Sequence, residues 1–429
     1  FFVMNKIISK IVQIFSIPDL RKKIFTVLAL LVVFRLFAAV PVPGIDVSRL
    51  KSIFASNQLL GILNVFSGGT MDNLSIVMLG VGPYITASII MQLLTMIFPK
   101  MKEMYHEEGE AGRMKFNQIT RYLTIPLSLI QAYAYLNILV SQKALSALAF
   151  PTMIKDIILI TAGTMLVMWI GELISEYKIG NGISLIIFAG IISRIPNTIR
   201  TAIISYQPSM LTGYIAFLVV AIVIIAGVVI VNEAERKVPV SYAKRVRGNK
   251  MFGGVSTYLP LKVNQAGVIP IIFAISIMLF PQFIGQIIAA LKTEWALKVS
   301  SFLINLFNNQ ILYSSLYFIL VLLFTYFYTM VTFDPKEISQ NLQKNGGFIP
   351  GIRPGQPTAT FLSQILNRIT LVGALFLGLI AVFPSLMKLV SGNAALTIGG
   401  TSVLIVVSVA LETAKQIKSQ LVMREYEGF

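Results

Sequence analysis

The chain has 429 residues, of which 56% are apolar and only 12% charged, with a mean hydropathy of +0.80. Soluble domains run at roughly 45–50% apolar and about 25% charged, so charge is too sparse here to cover a water-facing surface, and both a water-soluble globular enzyme and a disordered chain are excluded. Lys and Arg number 35 against 18 Asp and Glu, a net charge of +17. Cysteine is absent and His106 is the single histidine, so disulfides, thiolate or histidine metal clusters, Cys nucleophiles and a Ser-His triad are ruled out.

A membrane-crossing helix needs about 20 mostly apolar residues. Ten stretches qualify in chain order: Ile24–Val40, Leu74–Phe98, Ile119–Val140, Met153–Ile174, Ile183–Ile204, Tyr214–Val231, Ala266–Leu291, Ile311–Val331, Ile369–Val390 and Leu396–Leu411. The first is preceded by 23 residues and followed by Pro41-Val42-Pro43-Gly44, which is not the layout of a cleavable signal peptide. The opening Phe1-Phe2 points to a native start that differs from this one. Leu59–Phe66 is apolar but too short to span, and it stops at Ser67-Gly68-Gly69, as an interfacial or re-entrant segment does. The fifth stretch is weak: it opens on Gly180-Asn181-Gly182 and meets Ser193-Arg194-Ile195-Pro196 after about ten apolar residues.

With the N-terminus in the cytoplasm, 25 of the 35 Lys and Arg fall in inside segments and nine outside, a strong positive-inside bias that also puts the C-terminus inside. Ten spans divide into halves of five, 1–205 and 206–429; an odd number per half makes homologous halves an inverted repeat. Two inside loops, 232–265 and 332–368, are longer and richer in Gly, Pro and basic residues than topology requires, which points to docking of a partner or of anionic lipid.

Ionisable groups deep in the spans would mark an ion pathway. Arg35 either snorkels to the outer interface or pairs within the bundle; Glu172, Glu412 and Lys415 sit near cytoplasmic helix ends, and His106 lies among Glu107, Glu108 and Glu110 in a charged loop. No phosphate-binding loop and no carboxylate pair placed for hydrolysis occurs, so no catalytic residue, metal site or cofactor is expected.

Specific strings then identify a family. Phe66-Ser67-Gly68-Gly69, Leu79-Gly80-Val81-Gly82-Pro83-Tyr84-Ile85-Thr86-Ala87-Ser88, Gly180-Asn181-Gly182-Ile183-Ser184, Tyr242-Ala243-Lys244-Arg245, Leu259-Pro260-Leu261-Lys262-Val263-Asn264 with Ala266-Gly267-Val268-Ile269-Pro270, Phe348-Ile349-Pro350-Gly351-Ile352-Arg353-Pro354-Gly355 and Gly399-Gly400-Thr401-Ser402 closely resemble the SecY family of bacterial protein-conducting channel subunits, in that family's order and over nearly the whole chain. Gly82 stands where a larger residue is expected, and Val81 where Ile is common.

The resemblance implies an all-α, polytopic membrane protein: ten transmembrane helices in two inverted halves of five around a central hourglass pore. It implies a plug formed by Leu59, Leu60, Gly61, Ile62, Leu63, Asn64, Val65, Phe66, Ser67, Gly68 and Gly69, and a pore ring of Val81, Ile85, Ile183, Ile187, Ile272 and Ile405. The i,i+4 spacing of the first two ring pairs puts each on one helix face, but that spacing is common in any buried helix, so the ring rests on the resemblance. Thr86, Gln131 and Phe280 are implied for a lateral gate, with an ordinary interhelical hydrogen bond as the other reading of Gln131. Lys244, Arg245 and Arg353 are implied for docking. Expected partners are the membrane subunits SecE and SecG, the motor ATPase SecA, the ribosome, signal peptides, unfolded preproteins and membrane lipids; the expected location is the bacterial plasma membrane, with both termini cytoplasmic. A secondary transporter and a pore-less scaffold are the competing classes. The missing midplane charge and the large basic loops speak against the transporter, and ion conductance separates the scaffold.

Overall fold

A computed structural model describes residues 13, 15–42, 70, 74–141, 149–204, 208, 211–242, 245–247, 250–252, 256–289, 293–391 and 400–427. Each of the ten predicted stretches carries a helix. They are α1 (Pro18–Ala39), α2 (Gly82–Ile97), α4 (Gly109–Ser141), α5 (Phe150–Glu176), α6 (Gly182–Ile204), α7 (Leu211–Glu233), α8 (Ile269–Ala289), α10 (Gln310–Thr332), α12 (Gln356–Ser391) and α13 (Gly400–Glu427). Shorter helices α3 (Pro99–His106), α9 (Glu294–Asn308) and α11 (Pro335–Lys344) lie between them. Among the described residues, Gly109–Val140, Phe150–Glu176, Gln310–Lys344 and Gln356–Phe383 are each long and apolar enough to cross a membrane unaided, and α2 with α3 forms a further candidate bent by 115°. In α1, Lys22, Lys23 and Arg35 interrupt the apolar run.

The chain divides into two compact units. One comprises Phe1–Pro208, Leu279–Asn305 and Val409–Phe429; the other comprises Ser209–Met278 and Leu306–Ser408. In the first, α1 starts with Pro18 at its N-terminus and an Asp19–Lys23 pair at 3.7 Å. It buries Leu20, Val27, Phe34 and Ala38 against α5 and α6, and leaves Phe25, Leu28, Val32 and Leu36 exposed, as a lipid-facing side does. The second predicted span is shorter than expected. Residues 74–81 form turns, with Leu74 at φ 40° and Gly80 at φ 53°, and they are tied to the end of α1 by Val42 N–H to Leu74 O (2.9 Å) and Ile76 N–H to Val40 O (3.0 Å). Under this turn lies a core of Val42, Leu74, Met78, Leu79, Tyr135, Leu136, Leu139 and Ile160. The weak fifth span is a continuous helix through Pro196. α9, in a segment read as an outside loop, buries Ala296 and Ser300 and exposes Trp295, Leu297 and Phe302.

In the second unit the described residues of the long loops are more than plain connections, and they add a small β element to the helices. β1 (Glu235–Tyr242) pairs antiparallel with β4 (Ser256–Lys262) from Glu235↔Lys262 to Ser241↔Ser256, and β5 (Gly347–Phe348) extends the sheet along the other edge of β1; β2 (Arg245–Arg247) pairs with β3 (Lys250–Phe252). Alternation sends Val238 and Val240 inward, to a core with Leu261, Ile349 and Leu362. Asp334 caps α11 by accepting from Lys336 N–H (2.8 Å), and Asn309 caps α10.

Glycine sets the closest helix approach. A Cβ on Gly182 would overlap the carbonyl oxygen of Gly171 in α5, whereas one on Gly82 would meet nothing within 4 Å. Gly182→Ala should therefore lower stability by about 1–3 kcal/mol, read as a lower melting temperature of the detergent-purified protein, and Gly82→Ala should leave that temperature unchanged.

Candidate functional site

Four ring candidates lie in the first unit. Val81 is the N-cap residue of α2 and its carbonyl accepts Ile85 N–H at 3.0 Å; both side chains are buried. The space beside Gly82 is open, in keeping with a small residue where a larger one was expected. Ile183 and Ile187 follow the α5–α6 joint. There Ser175 Oγ donates to Gly171 O (3.0 Å) and accepts from Gly182 N–H (2.9 Å), and Asn181 Oδ1 accepts from Ser184 N–H (3.2 Å), so a hydroxyl and an amide replace the backbone bonds that the turn breaks. From the C-terminal part of α13, Gln420 Nε2 donates to Lys178 O at 2.6 Å and clasps the same joint. Ile183 lies half-buried over Gly171, and Ile187 is fully buried.

Ile272 and Ile405 lie in the second unit, in the first turn of α8 and the second turn of α13, and both are buried. Thr86 is buried on α2 and donates to Gly82 O at 3.0 Å; Gln131 is buried on α4; Phe280 lies on α8. All plug positions, Leu59–Gly69, and Lys244 lie outside the described residues, while Arg245 opens β2.

Arg353 stands exposed on a fixed turn. Gly351 at φ 82° and Gly355 at φ 95° bracket it. Its own carbonyl accepts from Thr358 Oγ1 (2.9 Å), Ser339 Oγ donates to Gly355 O (2.6 Å), and Ile352 N–H donates to Ile349 O (3.0 Å). Ile349 and Ile352 pack into the core beneath the sheet. Arg236 and Lys237 are exposed on β1 of the same unit. The result is a basic surface with few backbone degrees of freedom, which loses little entropy when a partner binds it.

Sequence reasoning misread or missed three features. Glu172 does not snorkel alone: Arg121 Nε donates to its Oε1 at 2.7 Å, joining α4 to α5. Asp156, only 1% exposed in α5, was overlooked among the ionisable residues of the spans, and its Oδ1 has no hydrogen-bond partner. Its signal was an acidic residue three positions into an apolar stretch. The third is a chain of hydrogen bonds through Asn232, Asn264 and Ser408, for which the only signal was amides beside apolar runs. Among the described residues no group of three or more His, Asp or Glu could hold a metal.

The SecY family model matches residues 75–414, from the turn ahead of α2 into α13. A protein translocase subunit SecY of Mycobacterium bovis is 43% identical over 433 residues, covering 96% of this chain and 97% of that one. A solved structure of SecY, concerned with how its plug domain stabilises the closed state of the translocation channel and maintains a membrane seal, aligns with a TM-score of 0.61 and 19% identity over 91% of this chain and 90% of the other. Sec61 in the canine ribosome–channel complex from the endoplasmic reticulum aligns with a TM-score of 0.58 and 18% identity, over 92% and 90%. At those identities the structural likeness speaks for the fold.

The tip holding Arg353 depends on a backbone conformation that residues with a Cβ rarely adopt. Gly355→Ala should cost about 1–3 kcal/mol in strain and should speed limited proteolysis within 350–356 relative to the parent.

Proposed function

The chain belongs to the SecY family of protein-translocase channel subunits, a family of channels and not of enzymes, and from that premise we propose that it passes unfolded secretory chains across the bacterial plasma membrane and releases hydrophobic segments sideways into the lipid. The observation that carries this reading is the extent of the family match, 75–414, which takes in every proposed ring position and the docking tip. On this reading 1–205 and 206–429 are inverted halves, Val81, Ile85, Ile183, Ile187, Ile272 and Ile405 form the constriction, and Leu59–Gly69 plug it from outside. Thr86, Gln131 and Phe280 line the lateral exit for signal peptides. Lys244, Arg245 and Arg353 dock SecA or the ribosome, whose work drives transport, and SecE and SecG flank the channel; both termini are cytoplasmic.

The chemistry of the constriction fits this task. A pore for unfolded chains must pass every kind of side chain and still hold back ions. Fixed charges would trap opposite charges, and fixed hydrogen-bonding groups would grip the moving backbone. Aliphatic side chains do neither, and a narrow apolar collar blocks ions by dewetting, because an ion stripped of water gains nothing there in return.

Two variants test the reading. If the collar faces a water-filled funnel, changing Ile187 and Ile405 together to Asn should leave the melting temperature near the parent's and raise single-channel ion conductance. A destabilised, non-conducting double variant would show packed core instead, since each unsatisfied amide costs about 1–3 kcal/mol. Arg353→Glu opposes the charge at the docking tip, where like charges at an interface can cost several kcal/mol. SecA-driven export into vesicles should collapse, with membrane insertion of the channel unaffected; undiminished export removes Arg353 from the docking surface.

A further inference from the structure

One polar constellation has no part in the roles above. Asn232 sits in the last turn of α7, where the helix hands over to β1. Its Nδ2 donates to Ser408 Oγ on α13 at 2.8 Å. Its Oδ1 accepts from Asn264 Nδ2, also at 2.8 Å, and the same Nδ2 donates to Gly267 O at 3.1 Å. Asn264 follows the last paired residues of β4, and Val263 N–H bonds Ala234 O at 2.9 Å, so the sheet's backbone ladder runs on into this cluster. Gly373 of α12 backs directly onto the Val263 carbonyl, 2.6 Å from where its Cβ would stand. Asn264 and Ser408 are buried and Asn232 is half-buried, all within one compact unit.

The positions of the three residues give the cluster a mechanical meaning. Ser408 lies three residues after Ile405, on the same face of α13. Gly267 precedes α8 by two residues, and Ile272 lies in that helix's first turn. Asn232 and Asn264 lie at the base of β1 and β4, the strands that carry the exposed Arg236 and Lys237 outward. The sheet and two pore helices are therefore joined through side-chain amides and one hydroxyl, in surroundings where little water competes for those bonds.

We propose that Asn232, Asn264 and Ser408 are positioning residues that lock the base of the docking sheet to the start of α8 and the third turn of α13, so that a load taken up by β1 and β4 reaches Ile272 and Ile405 together. The inference rests on the channel reading above. Its chemistry also supplies a second arrangement: Asn264 Oδ1 is buried without a donor and is open to one brought in by a shift of neighbouring groups.

The test uses the full chain with its membrane partners in sealed vesicles, SecA with ATP, and a model preprotein. Ser408→Val has the shape of Ser408→Thr without the hydroxyl. Ser408→Val, which breaks the Asn232–Ser408 bond, should slow translocation about five-fold, the effect of one lost hydrogen bond, and Asn232→Leu, which also breaks the bond from Asn264, should slow it by at least as much, with SecA affinity for the vesicles unchanged and the purified protein still folded at the translocation temperature. Ser408→Thr should stay within about two-fold of the parent. The double variant Asn232→Leu/Ser408→Val should be no slower than Asn232→Leu alone, since that change already breaks the bond to Ser408. The proposal is overturned if Ser408→Val behaves like Ser408→Thr, if the double variant slows by the product of the singles, or if slowing follows a loss of SecA affinity or unfolding at the translocation temperature. Should Ser408→Val fail to accumulate, Asn232→Leu decides alone: parental translocation at parental SecA affinity overturns the coupling. Failure of the channel reading itself looks different, because vesicles holding the parent chain would then export no more preprotein than vesicles without it, whatever happens at Ser408.

Discussion

Hydrocarbon offers a peptide group no hydrogen bond, so a chain that crosses it must satisfy its own backbone at every break in a helix. The breaks in this chain are met one by one. The turn ahead of α2 borrows partners from the end of α1 through Val40 and Val42. The α5–α6 joint uses the Ser175 hydroxyl and the Asn181 amide. α10 starts with Asn309 Oδ1 accepting from Ile311 and Leu312 N–H. Because the partners at the last two joints are side chains at fixed positions, those joints cannot drift along the sequence, and the apolar residues that follow them, Ile187 among them, are held in register.

The same solvent sorts the charges. Exposed apolar side chains cover the outward faces of α1, α7 and α10, while Arg236, Lys237, Lys344 and Arg353 stand on the sheet and the segments beside it. Where α4 and α5 must carry charge near the membrane, Arg121 and Glu172 neutralise one another. Asp156 is the departure from this pattern: a buried carboxylate with Lys155 beside it in sequence and no hydrogen bond to its Oδ1. The region proposed to move protein is thus apolar and unspecific, and the region proposed to recognise partners is polar and rigid.

Hydropathy made the ten apolar stretches legible because a span has to be apolar along its whole length, and each stretch carries a helix. It could not separate an apolar turn from an apolar helix: residues 74–81 read as part of a span but fold back at Gly80, where a positive φ ends the run. β1 and β4 were hidden in basic loops because only alternate residues, Val238 and Val240 among them, are buried. α9 was hidden for a related reason, since its buried residues among those described, Ala296 and Ser300, are small. Arg353 was legible as a fixed cation from the Gly and Pro around it, and the structure adds the hydroxyls of Ser339 and Thr358 that hold the turn. The proposed ring positions rest on the resemblance alone, since an aliphatic pair four residues apart is a common pattern in any buried helix. The Asn232–Asn264–Ser408 chain joins residues far apart in sequence, and no local pattern announces such a contact.

The turn that carries Arg353 runs straight into α12: Gly355 O accepts from Ala359 N–H in the helix's first turn. At 36 residues α12 is about 54 Å long, against roughly 30 Å of hydrocarbon. Much of it therefore stands outside the apolar layer as one stiff rod. Pivoted where Gly378 presses on the ring of Phe318 and Gly373 on the Val263 carbonyl, such a rod is a lever: a tilt of about 5° over that length displaces one end relative to the other by about 5 Å, close to the width of an extended peptide. A small angular change at the membrane surface thus becomes a linear displacement of the size that admitting a polypeptide requires.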